Sequence, residues 1–515
     1  MNLDLRNTAR HLGLLMFVLS ALVGAAAGFA GWDHAFAGHA DTADIRALSA
    51  TILIGVVVGG LLVFVGRGKA HMLGQREALL LVAASWLLGA VIAAMPYRVW
   101  SSLRPDAQVT AHSFDTFVNC YFEAMSGLTT TGATVVESIG TLPRSLLLWR
   151  AMTHWLGGLG IVVLFVAVLP LLGVGGRRVY RIEAPGPTPE GAMPRIQDTA
   201  RILWFIYLGL TVAEVAALKL CGMDVFDAVC HTMGTLATGG FSTLDSSVAG
   251  FSSTAIHLVI IAFMVLAGIN FGLYHQLLHR QWRSVLKDSE LRAYLAIMFV
   301  ATVIVTVCML RAGQHVAAGG SQPAPVGLTV RDSLFQVVSI QTTTGFCTAD
   351  FDAWGFTAKA TLLILMFIGA SAGSTGGGIK VVRILIAAKV ILAEVEQVYR
   401  PKIVRTVKIG KAVIDPDLKR STLAYVLSIA ILFAIGTALL MFFESEGGVD
   451  ITTAATASAA TLNNIGPGLA RVGATQNYAW FGASSKIVMC VLMPLGRLEM
   501  FAILVLFSPR FWRVE

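Results

Sequence analysis

Ten long apolar stretches dominate this sequence, at residues 12–30, 48–65, 78–95, 146–172, 202–220, 255–277, 293–310, 358–388, 423–443 and 487–507. A helix needs roughly 20 apolar residues to cross a bilayer. Inside hydrocarbon every backbone polar group must find its partner within the protein, which leaves few folds open. The apolar residues come in runs rather than alternating, so the spans are expected to be helices. Composition agrees: 13% of the 515 residues are charged and 56% are hydrophobic, against roughly 25% charged in a soluble domain. The expected fold class is an all-α polytopic membrane protein.

Arg6 and Arg10 followed by an apolar run have the form of a secretory leader. The run is nearer spanning length than a signal core, however, and a second span follows closely, so a retained helix is expected. Ten spans place both termini on one side. Basic clusters at 66–76, 175–181, 279–287, 400–411 and 508–513 all fall on that side, which the positive-inside rule makes cytoplasmic. The loops at 33–44 and 444–450 on the opposite side carry few basic residues. The net charge of +8 is spread over these short clusters and forms no single face, so nucleic acid is not an expected partner. The 400–411 cluster suits anionic membrane lipid, a cytosolic partner, or both. Cys120, Cys221, Cys230, Cys308, Cys347 and Cys490 stand singly with no CxxC pair and read as small apolar residues. His275 and His279 have metal-ligand spacing, but no third ligand is near, which favours interfacial histidines.

Four segments between paired spans are too long for turns. They read NCYFEAMSGLTTTGATV (119–135), FDAVCHTMGTLATGGFST (226–243), DSLFQVVSIQTTTGFCT (332–348) and ITTAATASAATLNNIGPGL (451–469). Each joins a short helical pattern to a polar stretch ending in Gly, with Gly132, Gly239, Gly345 and Gly466 as the apparent equivalents. All four start inside, dip from the outside and return, so they are parallel repeats rather than the inverted repeats of many transporters. The expected division is 1–72 as an N-terminal two-helix unit, then pore repeats at 73–185, 186–288, 289–412 and 413–515.

Non-helical backbone at membrane depth is tolerated only where it is buried or lines water. Four such loops about one axis can present a ring of carbonyls that replaces the hydration shell of an alkali cation. The C-terminal end of each short helix adds partial negative charge. The Thr/Gly stretches hold no carboxylate, which disfavours Ca²⁺ and favours a monovalent ion. The residues expected at this filter are Thr130, Thr131 and Gly132; Thr238 and Gly239; Thr343, Thr344 and Gly345; and Asn464, Ile465 and Gly466.

Two further features are costly in a membrane. GASAGSTGGGIK (369–380) interrupts an apolar span with five glycines, each roughly 1 kcal/mol worse than Ala in a helix. It lacks the G-K-[ST] ending and preceding strand of a nucleotide-binding loop. Arg497 lies in the last apolar run, where a charge is functional by default. Glu499, two residues on, faces elsewhere on a helix, so a main-chain carbonyl of the Gly-rich loop is the expected partner of Arg497.

FEAMSGLTTTGATV (122–135), WRAMTHWLGGLGIVVL (149–164), TGGFST (238–243), TTTGF (342–346), GASAGSTGGGIKVVRI (369–384), NNIGPGL (463–469) and GRLEMF (496–501) together resemble the TrkH branch of the Trk/Ktr/HKT superfamily of potassium transporters. The resemblance covers nearly the whole chain. It implies K⁺ uptake across the bacterial inner membrane, with Gly132 in the place where Ser often admits Na⁺. It also implies an intramembrane loop that obstructs the pore below the filter, with Gly373, Ser374, Thr375, Gly376, Gly377, Gly378, Lys380 and Arg497 as gating residues. A homodimer and a separate cytosolic ring of TrkA-like nucleotide-binding subunits are implied partners. K⁺ is the cargo, and no organic cofactor is expected on this chain. Ile465 and Pro467 in the fourth loop, and Ala237-Thr238-Gly239-Gly240 in the second, depart from fourfold symmetry. The alternative is a symporter coupling K⁺ to H⁺ or Na⁺. An enzyme is not expected, since His154 and His231 have no evident catalytic partners in the sequence.

Overall fold

The computed structural model describes residues 4–37, 42–68, 74–104, 113–158, 160, 196–312, 325–401, 406–410, 412–498 and 500–512. Helices α1 (Leu5–Ala37), α2 (Ala43–Val65) and α3 (Gln75–Leu103) pack on one another ahead of the first loop. Four short helices precede the four loops: α4 (Phe117–Leu128), α7 (Val225–Leu236), α11 (Val326–Gln341) and α15 (Ile451–Leu462). Around them stand α5 (Arg144–Gly158), α6 (Ile196–Leu220), α8 (Thr254–Ala267), α9 (Phe271–Leu278), α10 (Ser289–Ala312), α12 (Phe356–Phe367), α13 (Val381–Tyr399), α14 (Pro416–Phe443) and α16 (Ala483–Arg497). Three of the short helices begin on a side-chain cap, from Thr116, Asp224 and Asp450, a local signal that fixes where each starts.

Among the described residues six helices are single apolar spans, α1, α2, α3, α6, α10 and α14. Two expected spans are bent instead of straight. The 255–277 run breaks between α8 and α9 by 93°, and the last run bends by 117° after α16. The 358–388 run is α12 and α13 joined by non-helical residues 368–380. The 146–172 run is helical as α5 to Gly158, and most of its remainder lies outside the described residues, as do the 175–181 cluster and Glu499. Part of the basic 400–411 stretch forms a two-stranded pair, Lys408–Ile409 with Ala412–Val413, that its charge pattern did not announce.

Two apolar cores hold the loops. One draws on α1–α5 and α14–α16, the other on α6–α13. Outward side chains such as Leu53, Phe205, Phe299 and Phe442 are exposed, the surface a lipid-facing helix presents.

Candidate functional site

The four short helices end alike. A main-chain bond runs from Thr131 N to Ser126 O at 2.9 Å, and from Gly239 N to Gly234 O, Thr344 N to Ser339 O and Ile465 N to Ala460 O, each at 2.8 Å. This is a Schellman-type stop, whose left-handed residue is ordinarily Gly. Here that residue is Thr130 (φ 54°), Thr238 (54°), Thr343 (60°) or Asn464 (56°). An L-residue held left-handed costs roughly 1–2 kcal/mol, more easily borne by Asn than by β-branched Thr. Such strain persists where neighbours over-determine it. Around it, Asn464 Nδ2 donates to Thr131 Oγ1 and Met493 O, both at 2.9 Å, and Thr343 Oγ1 accepts from Gly377 N at 2.6 Å.

Two residues on from the strained position come Gly132, Gly240, Gly345 and Gly466, with φ of 78°, 80°, 82° and 95°. The expected equivalence of Gly239 therefore shifts by one residue. Gly240 matches Gly132, whereas Gly239 takes the place of Thr131, Thr344 and Ile465. These glycines close a circle. A Cβ on Gly132 would lie 2.1 Å from Gly239 O, on Gly240 2.0 Å from Thr344 O, on Gly345 2.0 Å from Ile465 O, and on Gly466 2.7 Å from Thr131 O. Each loop thus abuts the main chain of the next, in the order one, two, three, four and back to one. Five residues beyond the four glycines stand Glu137, Asp245, Asp350 and Arg471, all exposed.

The circle is tied at its outer edge. Tyr478 N donates to Thr134 O at 2.8 Å, Ile139 N to Asp245 Oδ1 at 2.6 Å, and Ala249 N to Cys347 O at 3.0 Å. The Tyr478 hydroxyl donates to Gly466 O at 2.7 Å; burial raises its pKa above the ordinary phenol range, so it stays a donor. His154 and His231 pack against loop two. His154 stacks on Phe241 with centroids 4.0 Å apart, and His231 Nε2 meets Ser242 Oγ at 2.9 Å. The rings of His275 and His279 lie 4.3 Å apart, and the described residues contain no group of three metal-ligating side chains.

The Gly-rich segment closes on itself, with Gly369 N donating to Ile379 O at 2.9 Å. It lies against loops three and four. A Cβ on Gly376 would be 3.1 Å from Thr342 O, and one on Gly377 2.5 Å from Asn463 O. Lys380 Nζ folds back onto Gly376 O. Thr375 Oγ1 donates to Leu236 O at 2.9 Å and Ala267 O at 3.2 Å, and Ser371 N to Gly268 O at 3.0 Å. These bonds explain the unexpected break between α8 and α9. The carbonyls freed there are taken up by the loop, and Gly373 O accepts from Phe271 N at 2.9 Å. Gly268 as a helix stop and Asn270, which caps Gly272 N at 2.8 Å, were the available sequence signals. Glu290 was missed altogether: its Oε1 accepts from Ala372 N at 2.7 Å and Val382 N at 3.2 Å, anchoring the segment near both ends.

Arg497 does not sit mid-helix. It is the last residue of α16, at the bend. Its expected partner is found: NH1 donates to Thr375 O at 2.6 Å, while NH2 donates to Gly157 O and, at 2.8 Å, to Gly158 O. It therefore joins the end of α5 to the Gly-rich segment, cation to helix C-terminus.

Spanning helices around a closed circle of re-entrant loops define a membrane transport protein. The family described as TrkH, cation transport protein, matches residues 46–514, and the chain belongs to it. It is 37% identical over 470 residues to the Trk system potassium uptake protein TrkH of Escherichia coli K12, covering 91% of this chain and 92% of that one. It is 34% identical over 466 residues to the TrkG protein of the same strain, covering 90% and 91%. The crystal structure of the potassium transporter TrkH from Vibrio parahaemolyticus superposes with a TM-score of 0.82 at 32% identity, covering 99% of both chains. These relatives are transport proteins.

Proposed function

We propose that this chain takes up K⁺ across the bacterial inner membrane, termini in the cytoplasm, through a gated, channel-like pore whose selectivity filter is the circle of four loops. The observation that carries this reading is the cyclic contact of Gly132, Gly240, Gly345 and Gly466 with the carbonyls of the next loop. Successive carbonyls are turned by the left-handed residues at the first and third positions of each triplet, and a ring of carbonyls can stand in for a cation's water. Relatives named for potassium uptake supply the ion. Thr130, Thr131, Gly239, Thr344, Ile465 and their neighbours in the loops bind it as cargo. Residues 369–380 with Arg497 form the gate, because backbone and a guanidinium are bonded to each other beside loops three and four. The active unit is a homodimer regulated by a cytosolic ring of TrkA-like subunits, and repeats at 73–185, 186–288, 289–412 and 413–515 each supply one loop.

Rb⁺ flux into liposomes at imposed voltage, with Na⁺ as competitor, tests the reading. Gly132→Ser should admit Na⁺, since a side chain there meets Gly239 O. Arg497→Ala, or shortening of 372–376, should raise basal flux. Unchanged behaviour in all three would end it. A symport reading with H⁺ or Na⁺ draws support from Glu214, an acid fully buried on a spanning helix, a position that is functional by default. Movement of a second ion in fixed ratio to K⁺ would favour it.

A further inference from the structure

Arg150 on α5 is 1% exposed and Glu123 on α4 is 0% exposed. A buried ion pair is tolerated when further hydrogen bonds satisfy both groups, and here those bonds go to two adjacent loops of the circle. Arg150 Nε donates to Glu123 Oε1 at 2.7 Å, NH2 to Thr134 Oγ1 at 3.2 Å and NH1 to Ser242 O at 3.2 Å. Its guanidinium lies 3.9 Å from the centre of the Phe241 ring. Glu123 accepts in turn from Val135 N at 2.9 Å and from Thr134 Oγ1 at 3.0 and 3.1 Å. Thr134 and Val135 follow Gly132 by two and three residues, and Phe241 and Ser242 follow Gly240 by one and two. One ion pair therefore grips the outgoing strands of loops one and two.

The bonds of this pair go to loops one and two, and neutral side chains hold the other two loops: Ser339 Oγ donates to Phe346 O at 2.7 Å and Thr456 Oγ1 accepts from Leu469 N at 3.0 Å. The residues nine positions before the four ring glycines are Glu123, His231, Gln336 and Ala457. His231 bonds Ser242, again in loop two. Gln336 is fully buried, and neither end of its amide has a hydrogen-bond partner among the described residues. Ala457 has nothing to offer.

The geometry points to Glu123 and Arg150 as positioning residues for cation discrimination: they fix the spacing of loops one and two from behind, and so the size and field of the carbonyl ring. The inference rests on the filter reading above. Neither residue touches the ion; both act through Thr134, Val135 and Ser242.

The full-length protein in liposomes is assayed for Rb⁺ uptake against rising Na⁺. Removing one partner strands a buried charge, so the main variant is E123Q/R150Q, which removes both charges. It should assemble like the parent while Na⁺ competes at about fivefold lower concentration. Arg150→Lys should fall between the two, since an ammonium cannot reach Glu123, Thr134 and Ser242 together. The swap E123R/R150E keeps a pair but cannot accept from Val135 N or donate to Ser242 O, and should not restore discrimination. A merely structural role would lower yield and total flux and leave the Na⁺-to-Rb⁺ ratio alone. An assembled double variant or swap with the parental ratio overturns the inference. Should E123Q/R150Q fail to assemble, a parental ratio in Arg150→Lys does the same. Gly132→Ser is measured alongside. If it alone changes the ratio, only this inference fails; if it too is without effect, the filter reading fails.

Discussion

Loops one and two are held from behind by a buried ion pair between α4 and α5, whereas loops three and four lie against a glycine-rich backbone and are tied by neutral side chains such as Ser339, Thr456 and Tyr478. The first pair is backed by α5, whose Arg150, His154 and Gly157 lie three and four residues apart on one face. His154 packs on Phe241, and Gly157 is so close to Leu128 O that a Cβ would stand 1.9 Å away. The second pair abuts residues 369–380, whose main chain bonds to it, as Gly377 N does to the Thr343 hydroxyl. The materials differ in what they permit. Interdigitated side chains move only by repacking, while a run of glycines can change φ and ψ at little steric cost. Under the proposed function, one half of the circle keeps its shape and the other half shares a wall with the gate.

The largest expected effect comes from the rigid half. Gly240→Ala puts a Cβ at φ 80° and 2.0 Å from Thr344 O, a penalty of about 3 kcal/mol, and should lower Rb⁺ uptake roughly a hundredfold. The nearest atoms to a Cβ on Gly239 belong to the His154 ring, whose Nδ1 lies 2.3 Å away, so adding His154→Ala to Gly239→Ala should recover uptake. Recovery of Gly240→Ala by the same change would contradict the register found here. On the other half, Gly377→Ala pushes against Asn463 O and should raise basal flux about tenfold by displacing the loop. A fall in flux would show that this loop does not obstruct. Tyr478→Phe removes one hydrogen bond from Gly466 O, about 1 kcal/mol, and should change Na⁺ competition about fivefold. Its failure to do so would mean loop four contributes little to discrimination. Smallest of all, Glu137→Gln with Asp350→Asn should slow uptake about twofold at low ionic strength and not at high salt, as initial rates in two buffers would report.

Much of this was legible in the sequence, for identifiable reasons. Apolar runs report spans directly, because lipid imposes one length. The strain of Thr-Thr-Thr-Gly in a membrane reports loops one and three, the Gly-containing polar stretches at matching places report the other two, and the cost of Arg497 reports a carbonyl partner. Loop two was misaligned by a residue because Thr238-Gly239-Gly240 offers two glycines, and only φ distinguishes them. The break after Ala267 was hidden because its carbonyls are satisfied by residues about a hundred positions away. Glu290 and the Glu123–Arg150 pair were passed over for a similar reason. A lone acid in an apolar helix shows no partner until the fold supplies one, as Glu290 meets Ala372 N and Val382 N.

Under the proposed function, the bend between α8 and α9 constrains how a gate at residues 369–380 would open. Leu236, Ala267 and Gly268 each present a carbonyl that the glycine-rich segment satisfies, and no such group can be left bare at membrane depth. When the segment withdraws, water must take over those three oxygens, so opening and hydration of the cavity are one equilibrium. Solutes too large to enter should then close the pore by drawing that water out, with a dependence on osmotic pressure that counts the molecules admitted.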